Sequence, residues 1–375
     1  MSSEHDASRQ LDGLQQCLSQ NRRPLGLFIA AGCGLSIPHP ADAKRPLIRD
    51  IAGLTEDLAS SLKGSPNLGV YESAVDHLIE DGITKPNIEM ILSHVRAMSR
   101  MVGKKDLHGH KRDAIDKLEI AICEFISKAV DQTLPEKGTP HHNLGRWLRS
   151  QPREEPVEIF TTNYDLLIEQ GLEAQRAPFF DGFIGNRQPF LDIAAIEQDQ
   201  LPARWTRLWK LHGSINWQFE KGAGVIRRIG GPVGGSALIH PSHLKYEQSR
   251  RMPYLIMIDR LRSFLRKPSA VLVVSGYSFG DDHINECLVE GLRSNPSAVV
   301  FGLLFGPLDS YRQAHDFTTT AINLKLLARD GAIIGARKGS WKKTPDGKAV
   351  EFEHGNFAVL GTLLGNLAGA DQVPA

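Results

Sequence analysis

The stretch LGLFIAAGCGLSI, residues 25–37, is an unbroken apolar run that ends in a turn of small residues. A continuous apolar run bounded by Pro24 on one side and AGCG on the other is the pattern of a parallel strand buried on both faces. Such a strand has no solvent face, so nothing imposes alternation. VEIFTT (157–162), LWKLH (208–212), VLVVS (271–275) and AVVFGLL (298–304) repeat the pattern, and AIIG (332–335) is a weaker instance. Short buried strands separated by helical stretches require crossover connections, so the expected fold class is α/β with a parallel sheet.

More than a hundred residues separate the first two strands, far more than one crossover helix needs. Ile88, Ile91, Leu92, Val95 and Met98 share one helical face, as do Ile115, Leu118, Ile122, Phe125, Ile126 and Ala129. The spacing predicts a helical subdomain inserted at about residues 50–150. The expected organisation is a polar N-terminal segment (1–24), a sheet domain with its helical insertion (25–335) and a C-terminal tail (336–375). The tail's finish, FAVLGTLLGNLAGA, is apolar enough that it should dock on the core or at a subunit interface. KGAGVIRRIGGPVGGS (221–236) lacks a GK[ST] ending and a strand–loop–helix frame, so it reads as a flexible hairpin or lid rather than a phosphate loop.

Composition narrows the class of function. Of 375 residues, 44 are Lys or Arg and 43 Asp or Glu, a formal charge of +1 that gives no global attraction to nucleic acid or anionic lipid. Cys17, Cys33, Cys123 and Cys287 are too far apart to form a C-x-x-C half-site, which excludes a cysteine zinc ribbon and fits a reducing compartment. The polar start MSSEHDASRQ is no signal peptide and no apolar run is long enough to span a bilayer, so a cytoplasmic location without membrane attachment is expected.

Four strand ends carry polar or small residues. The first turn, AAGCGLSIP (30–38), is either a nucleotide-binding turn or a packing turn: small residues let a backbone approach a pyrophosphate, and equally let two turns touch. TTNYD (161–165) places hydroxyls, an amide and a carboxylate at the mouth of the crevice where open α/β sheets bind ligands, and an N-cap accounts for only one of them. KLHGSINW (210–217) delivers His212, a natural base near neutral pH. GYSFGDD (276–282) is a fourth strand-end turn with hydroxyls suited to phosphate. Three other constellations are set aside. His240 and His243 are separated by two residues including Pro241, which disfavours a metal-binding pair. Ser36, His212 and Asp165 lack a G-x-S-x-G elbow for a hydrolase triad. The basic run at 338–343 reads as a solvated tail rather than a nucleic-acid contact.

AAGCGLSIP, TTNYD, KLHGSINW and GYSFGDDHIN, in this order, resemble the bacterial sirtuin-like proteins of the silent-information-regulator type, across about residues 20–335. NIEMILSHV (87–95), TPHHNL (139–144), DGF (181–183) and IHPSHLKY (239–246) add to the resemblance. It implies a Rossmann-like sheet that binds NAD+. By matching position, it implies that Asn163 and His212 are catalytic, that Asp165 holds the nicotinamide carboxamide, and that Ala31, Gly32, Gly276 and Ser278 contact phosphates and adenosine ribose. The sequence departs from the usual first turn at Ala30 and Gly34, and residues 218–240 hold no cysteine where protein-deacylating sirtuins carry a zinc ribbon. The sequence therefore resembles the defence-associated branch, whose members hydrolyse NAD+ after phage infection. That implies an NAD+ glycohydrolase with no metal, with an NAD-dependent deacylase or a non-catalytic NAD or ADP-ribose sensor as alternatives. The resemblance further implies a homo-oligomer and a HerA-like ATPase or short Argonaute partner.

Overall fold

A computed structural model of the protein describes residues 3–103, 106–228, 238–239 and 253–369. Among these residues the central feature is a ten-stranded sheet, ordered Ser3–His5, Arg337–Trp341, Gly331–Ile334, Leu324–Leu327, Val299–Leu303, Val271–Ser275, Leu25–Ile29, Val157–Thr161, Thr206–Lys210 and Phe179–Phe180. The six strands from Leu324–Leu327 to Thr206–Lys210 run parallel in unbroken register, and Phe179–Phe180 joins them in the same sense. Five of these inner strands are the apolar runs of the sequence, Leu324–Leu327 being the sixth and unexpected one, and each of the four central ones is buried along its whole length.

Burial on both faces follows from side-chain alternation. Leu25, Leu27 and Ile29 face one apolar cluster, built with Leu14, Leu18, Leu144, Trp147, Leu172, Phe357 and Leu364. Phe28, Phe160, Trp209, Leu272 and Val274 face the other, with Met257, Phe264, Ile284 and Leu288. Gly26 belongs to the second face, where a Cβ would lie 2.8 Å from both Phe264 and Leu272, so those side chains occupy the space it leaves.

Helices Ile51–Ser61, Leu68–Glu80, Ile88–Met101 and Arg112–Val130 form a unit with its own core of Leu58, Ala74, Ile91, Leu92, Val95, Ile115, Leu118 and Ile122. Leu167 and Ile215, which follow two of the sheet's strands, are buried in that same core. The unit is smaller than the expected 50–150 span. Helix Pro140–Ser150, capped by Thr139, packs on helices Leu167–Ala174 and Phe357–Leu367 beside the sheet.

The structure differs from the sequence reading at the C-terminal side in two ways. AIIG continues the sheet but antiparallel, and the basic run expected to be a solvated tail is the strand Arg337–Trp341, its hairpin partner. Residue 335 is thus the turn of a hairpin, with Gly335 at φ 57° and Ala336 at φ 60°, rather than a boundary. Trp341 is buried and its Nε1 donates to the Ala328 carbonyl at 2.9 Å. The edge of this hairpin is covered in parallel by Ser3–His5. The second half of the glycine-rich stretch (229–236), His240 and His243 with the rest of IHPSHLKY beyond Ile239, and the last six residues lie outside the described residues.

Helix Phe357–Leu367 meets helix Pro140–Ser150 through its glycines. A Cβ at Gly361 would lie 2.5 Å from the Pro140 Cβ, and one at Gly365 2.7 Å from Arg146. Forcing extra volume into such a contact costs about 1–3 kcal/mol. Gly361→Leu is expected to lower Tm in a thermal melt. Gly13→Ala, in a helix with nothing within 4 Å of the new methyl group, should leave Tm equal or higher.

Candidate active site

The chain places Val157–Thr161 and then Thr206–Lys210 on one side of Leu25–Ile29, and afterwards crosses back to place Val271–Ser275 on the other. The order of strands reverses between Leu25–Ile29 and Val271–Ser275. In open α/β sheets a crevice forms at such a reversal, outside the carboxyl ends of the strands. All four sequence motifs follow strands at this edge.

The two turns that flank the reversal touch chiefly through backbone, with one side-chain contact, the Cys33 thiol 3.6 Å from Ser275 Oγ. Gly32 N–H donates to Gly276 O at 2.9 Å, and Ala30 N–H to Ser275 O at 3.0 Å. A Cβ at Gly32 would sit 2.8 Å from Gly276 O, and one at Gly276 2.5 Å from Cys33 N, with Gly276 at φ 69°. Both glycines are required by this mutual approach. The Gly32 amide assigned to phosphate by the sequence reading is already engaged, and what the pair offers a ligand is a crevice floor without side chains. Ala31 and Ser278 are exposed beside it. Gly34 is an ordinary position, since a Cβ there would lie 3.7 Å from Ile48. Burial pushes the Cys33 thiol up to about 12, so it is no nucleophile at neutral pH.

The Val157–Thr161 and Thr206–Lys210 strand ends are joined by backbone and side-chain bonds. Leu211 N–H donates to Thr161 O at 2.8 Å and Ile215 N–H to Tyr164 O at 3.1 Å. Lys210, 1 % exposed, donates through Nζ to the Asp165 carbonyl and, at 2.8 Å, to Glu169 Oε1. Asn163 is buried, and its own N–H donates to Thr161 Oγ1 at 3.0 Å. Its side-chain Oδ1 is buried with no hydrogen-bond partner among the described residues. An unsatisfied buried acceptor costs about 1–3 kcal/mol, a cost that a ligand donor would remove. Asp165 Oδ1 accepts from Leu167 N at 3.0 Å. Burial pushes its carboxyl up to about 6 against the pull of Lys210.

His212 lies two residues past its strand and is buried. Its Nε2 is 3.0 Å from Asp281 Oδ2, an ion-pair contact whose alignment falls short of a regular hydrogen bond, so the carboxylate oxygen makes no other bond. Burial lowers the proton affinity of the imidazole most strongly. The Asp281 carboxylate, with a contribution from Glu89, overcomes it, and the net direction is upward. Asp281 is held below the usual carboxylate range despite burial, by His212 and by the N–H groups of Ile284 and His283. The Tyr164 ring lies 6.4 Å from the His212 ring, and its hydroxyl donates to Glu89 Oε1 at 2.8 Å. The helical unit therefore supplies Glu89 to this wall of the crevice.

Residues 157–320 match the family model of the SIR2-like domain. The match includes Asn163, Asp165, His212, Gly276, Ser278 and Asp281, and leaves out the first glycine turn. No curated protein sequence matches the chain. Among solved structures, a Sir2 homologue in complex with NAD is similar at 13% identity and TM-score 0.39, over 83% of this chain and 88% of that one. A Sir2 homologue variant in complex with ADP-ribose is similar at 12% identity and TM-score 0.34, over 95% of each chain. Likeness at this level assigns no activity to the SIR2-like domain. The sequence reading did not assign a role to Lys210 or Asp281, although both lie inside quoted motifs. Among the described residues no group of three or more His, Cys, Asp and Glu side chains is placed to hold a metal ion.

The contact between the Gly32 and Gly276 turns is directly testable. Gly276→Ala should lose at least about 2 kcal/mol in urea unfolding, from the positive φ and the clash with Cys33. Gly34→Ala should stay within about 1 kcal/mol of wild type.

Proposed function

We propose that the SIR2-like domain hydrolyses NAD+ at the bond between nicotinamide and ribose. The observation that carries this reading is Asn163 Oδ1, a buried acceptor without a donor at the crevice where the Rossmann-like sheet reverses its strand order. A ribose hydroxyl or a water molecule is a donor of the right size, and both are present in this reaction. Asp165, at the same strand end, receives the nicotinamide carboxamide. The floor made by Gly32 and Gly276, with Ala31 and Ser278 at its rim, takes the diphosphate and adenosine ribose.

The C1′–N1 bond breaks with its electron pair going to the pyridinium nitrogen, which leaves as neutral nicotinamide. Water held by Asn163 adds to C1′, and His212 accepts the proton it releases and passes it to solvent. The balance is NAD+ plus water giving nicotinamide, ADP-ribose and one proton. Positioning and proton acceptance are the two contributions asked of the protein, each worth orders of magnitude in rate. No metal enters these steps. A peptide-dependent deacylase is the less supported reading because residues 218–240 lack the cysteines of a zinc ribbon. In the cell, depletion of NAD+ in antiphage defence, by a homo-oligomer working with a HerA-like ATPase or a short Argonaute, is the role implied by the sequence resemblance. Light scattering and co-purification with the neighbouring gene product test that assembly.

Nicotinamide release from NAD+ alone, with no acyl-lysine peptide, is the decisive assay. Wild type should release it, and Asn163→Ala should fall by about 10²-fold or more with its melting temperature kept. Release that requires the peptide would establish the deacylase. Equal rates for Asn163→Ala and wild type would remove Asn163 from the site.

A further inference from the structure

GYSFGDDHIN, residues 276–285, contains more polar residues than a phosphate turn needs, and the structure gives most of them one shared task. The single proton of the Tyr277 hydroxyl is shared between two acceptors, the Asp281 carbonyl at 3.1 Å and Asn285 Oδ1 at 2.8 Å. Asn285 Nδ2 donates to the Phe279 carbonyl at 2.8 Å. Asp281 Oδ1 accepts from His283 N at 3.0 Å and Ile284 N at 3.3 Å, capping helix Asp282–Ser294. Tyr277, Asp281 and Asn285 are all buried. Between them Phe279, also fully buried, is held at φ 60°. A bulky residue in the left-handed region is strained, and such strain persists only where the surroundings over-determine it. These bonds leave one buried side-chain oxygen of the turn without a hydrogen bond among the described residues: Asp281 Oδ2, which faces His212 Nε2 at 3.0 Å.

We propose that Asp281 is the positioning residue for His212, and that the rest of the motif exists to present its carboxylate. The inference rests on the hydrolase reading above for its catalytic meaning, but the pairing stands on geometry alone. In the tautomer that carries its proton on Nε2, the nitrogen 3.0 Å from Asp281, the lone pair of the neutral ring is on Nδ1, which makes no hydrogen bond among the described residues. Nδ1 is therefore the proton acceptor offered to the crevice. When His212 takes a proton, the imidazolium forms beside a carboxylate already in place, so the buried charge is compensated as it appears. Three other groups bear on this imidazole: Glu89 from the helix Ile88–Met101, the Tyr164 ring with its hydroxyl committed to Glu89, and the backbone amides that hold Asp281 ionised. Glu89 raises the proton affinity of His212 in the same direction as Asp281 but is the weaker influence.

The test separates charge from cap. Asp281→Asn keeps a good N-cap and loses the negative charge; Asp281→Ser keeps a cap and loses the reach to His212. Both variants should melt near wild type. The imidazole of His212 is followed by NMR on histidine-labelled protein, with its resonance assigned by its disappearance in His212→Gln. In wild type it should titrate above an ordinary histidine, and in both variants at least about one pH unit lower. With NAD+ as substrate, kcat should fall by about 10²–10³-fold with KM little changed, and the ascending limb of kcat/KM against pH should move to lower pH by the same interval. A purely structural role would lower melting temperature and leave the limb where it is. An unchanged imidazole titration in both folded variants overturns the inference, as does an unchanged kcat with an unmoved limb. If wild type releases no nicotinamide, the hydrolase reading fails, and the imidazole titration still decides whether Asp281 holds His212.

Discussion

Two backbones in contact where no side chain fits set the geometry of this protein. Gly32 and Gly276 bring the turns after Leu25–Ile29 and Val271–Ser275 within one hydrogen bond of each other, at the place where the sheet reverses its strand order. Because those strands are adjacent and in register, the contact fixes the level at which both turns leave the sheet. The neighbouring strands Val157–Thr161 and Thr206–Lys210 are tied to the same level by their ladder and by the bonds from Leu211 and Ile215. Asn163, His212 and Asp281 are thus placed largely by main-chain geometry, although the Asp281 side chain also caps helix Asp282–Ser294.

That division explains how polar groups can sit buried and under-satisfied in a stable molecule. The sheet's two apolar clusters and the helical unit's core supply the burial that folding requires. Against that background one orphan acceptor at Asn163 and one imperfectly aligned pair at His212 and Asp281 are tolerable costs. They are also the groups that a polar substrate would satisfy, which is why they point to the crevice rather than to a flaw in packing.

Much of this was legible in the sequence, for a physical reason. Strands buried on both faces must be continuously apolar, so the five inner runs stand out at once. Arg337–Trp341 did not, because a strand near the sheet's edge shows only its inward residues, here Gly339 and Trp341, and exposes Arg337, Lys338 and Ser340. The helical unit was visible from its periodicity, but its end was misplaced because helix Pro140–Ser150 has the same amphipathic signature whichever core it joins. Asn163, Asp165 and His212 could be named as candidates from strand-end position and from resemblance. Asp281 could not be assigned, since an aspartate after Gly280 looks like a turn residue until its partner 69 positions earlier is seen beside it. The same holds for Gly32 and Gly276, whose shared task appears only when both turns are in view.

Leu167 and Ile215 have a consequence for motion. They belong to the segments that carry Asn163, Asp165 and His212, yet their side chains are buried in the core of the helical unit. Those segments cannot loosen without exposing apolar surface on both sides, and the helical unit cannot unfold locally without releasing them. Site and unit therefore share buried apolar surface, and the opening of one would expose part of the other. A partner that tightened the four helices would hold the crevice in a single geometry, and one that pried them apart would dissolve it, with no contact to the substrate in either case.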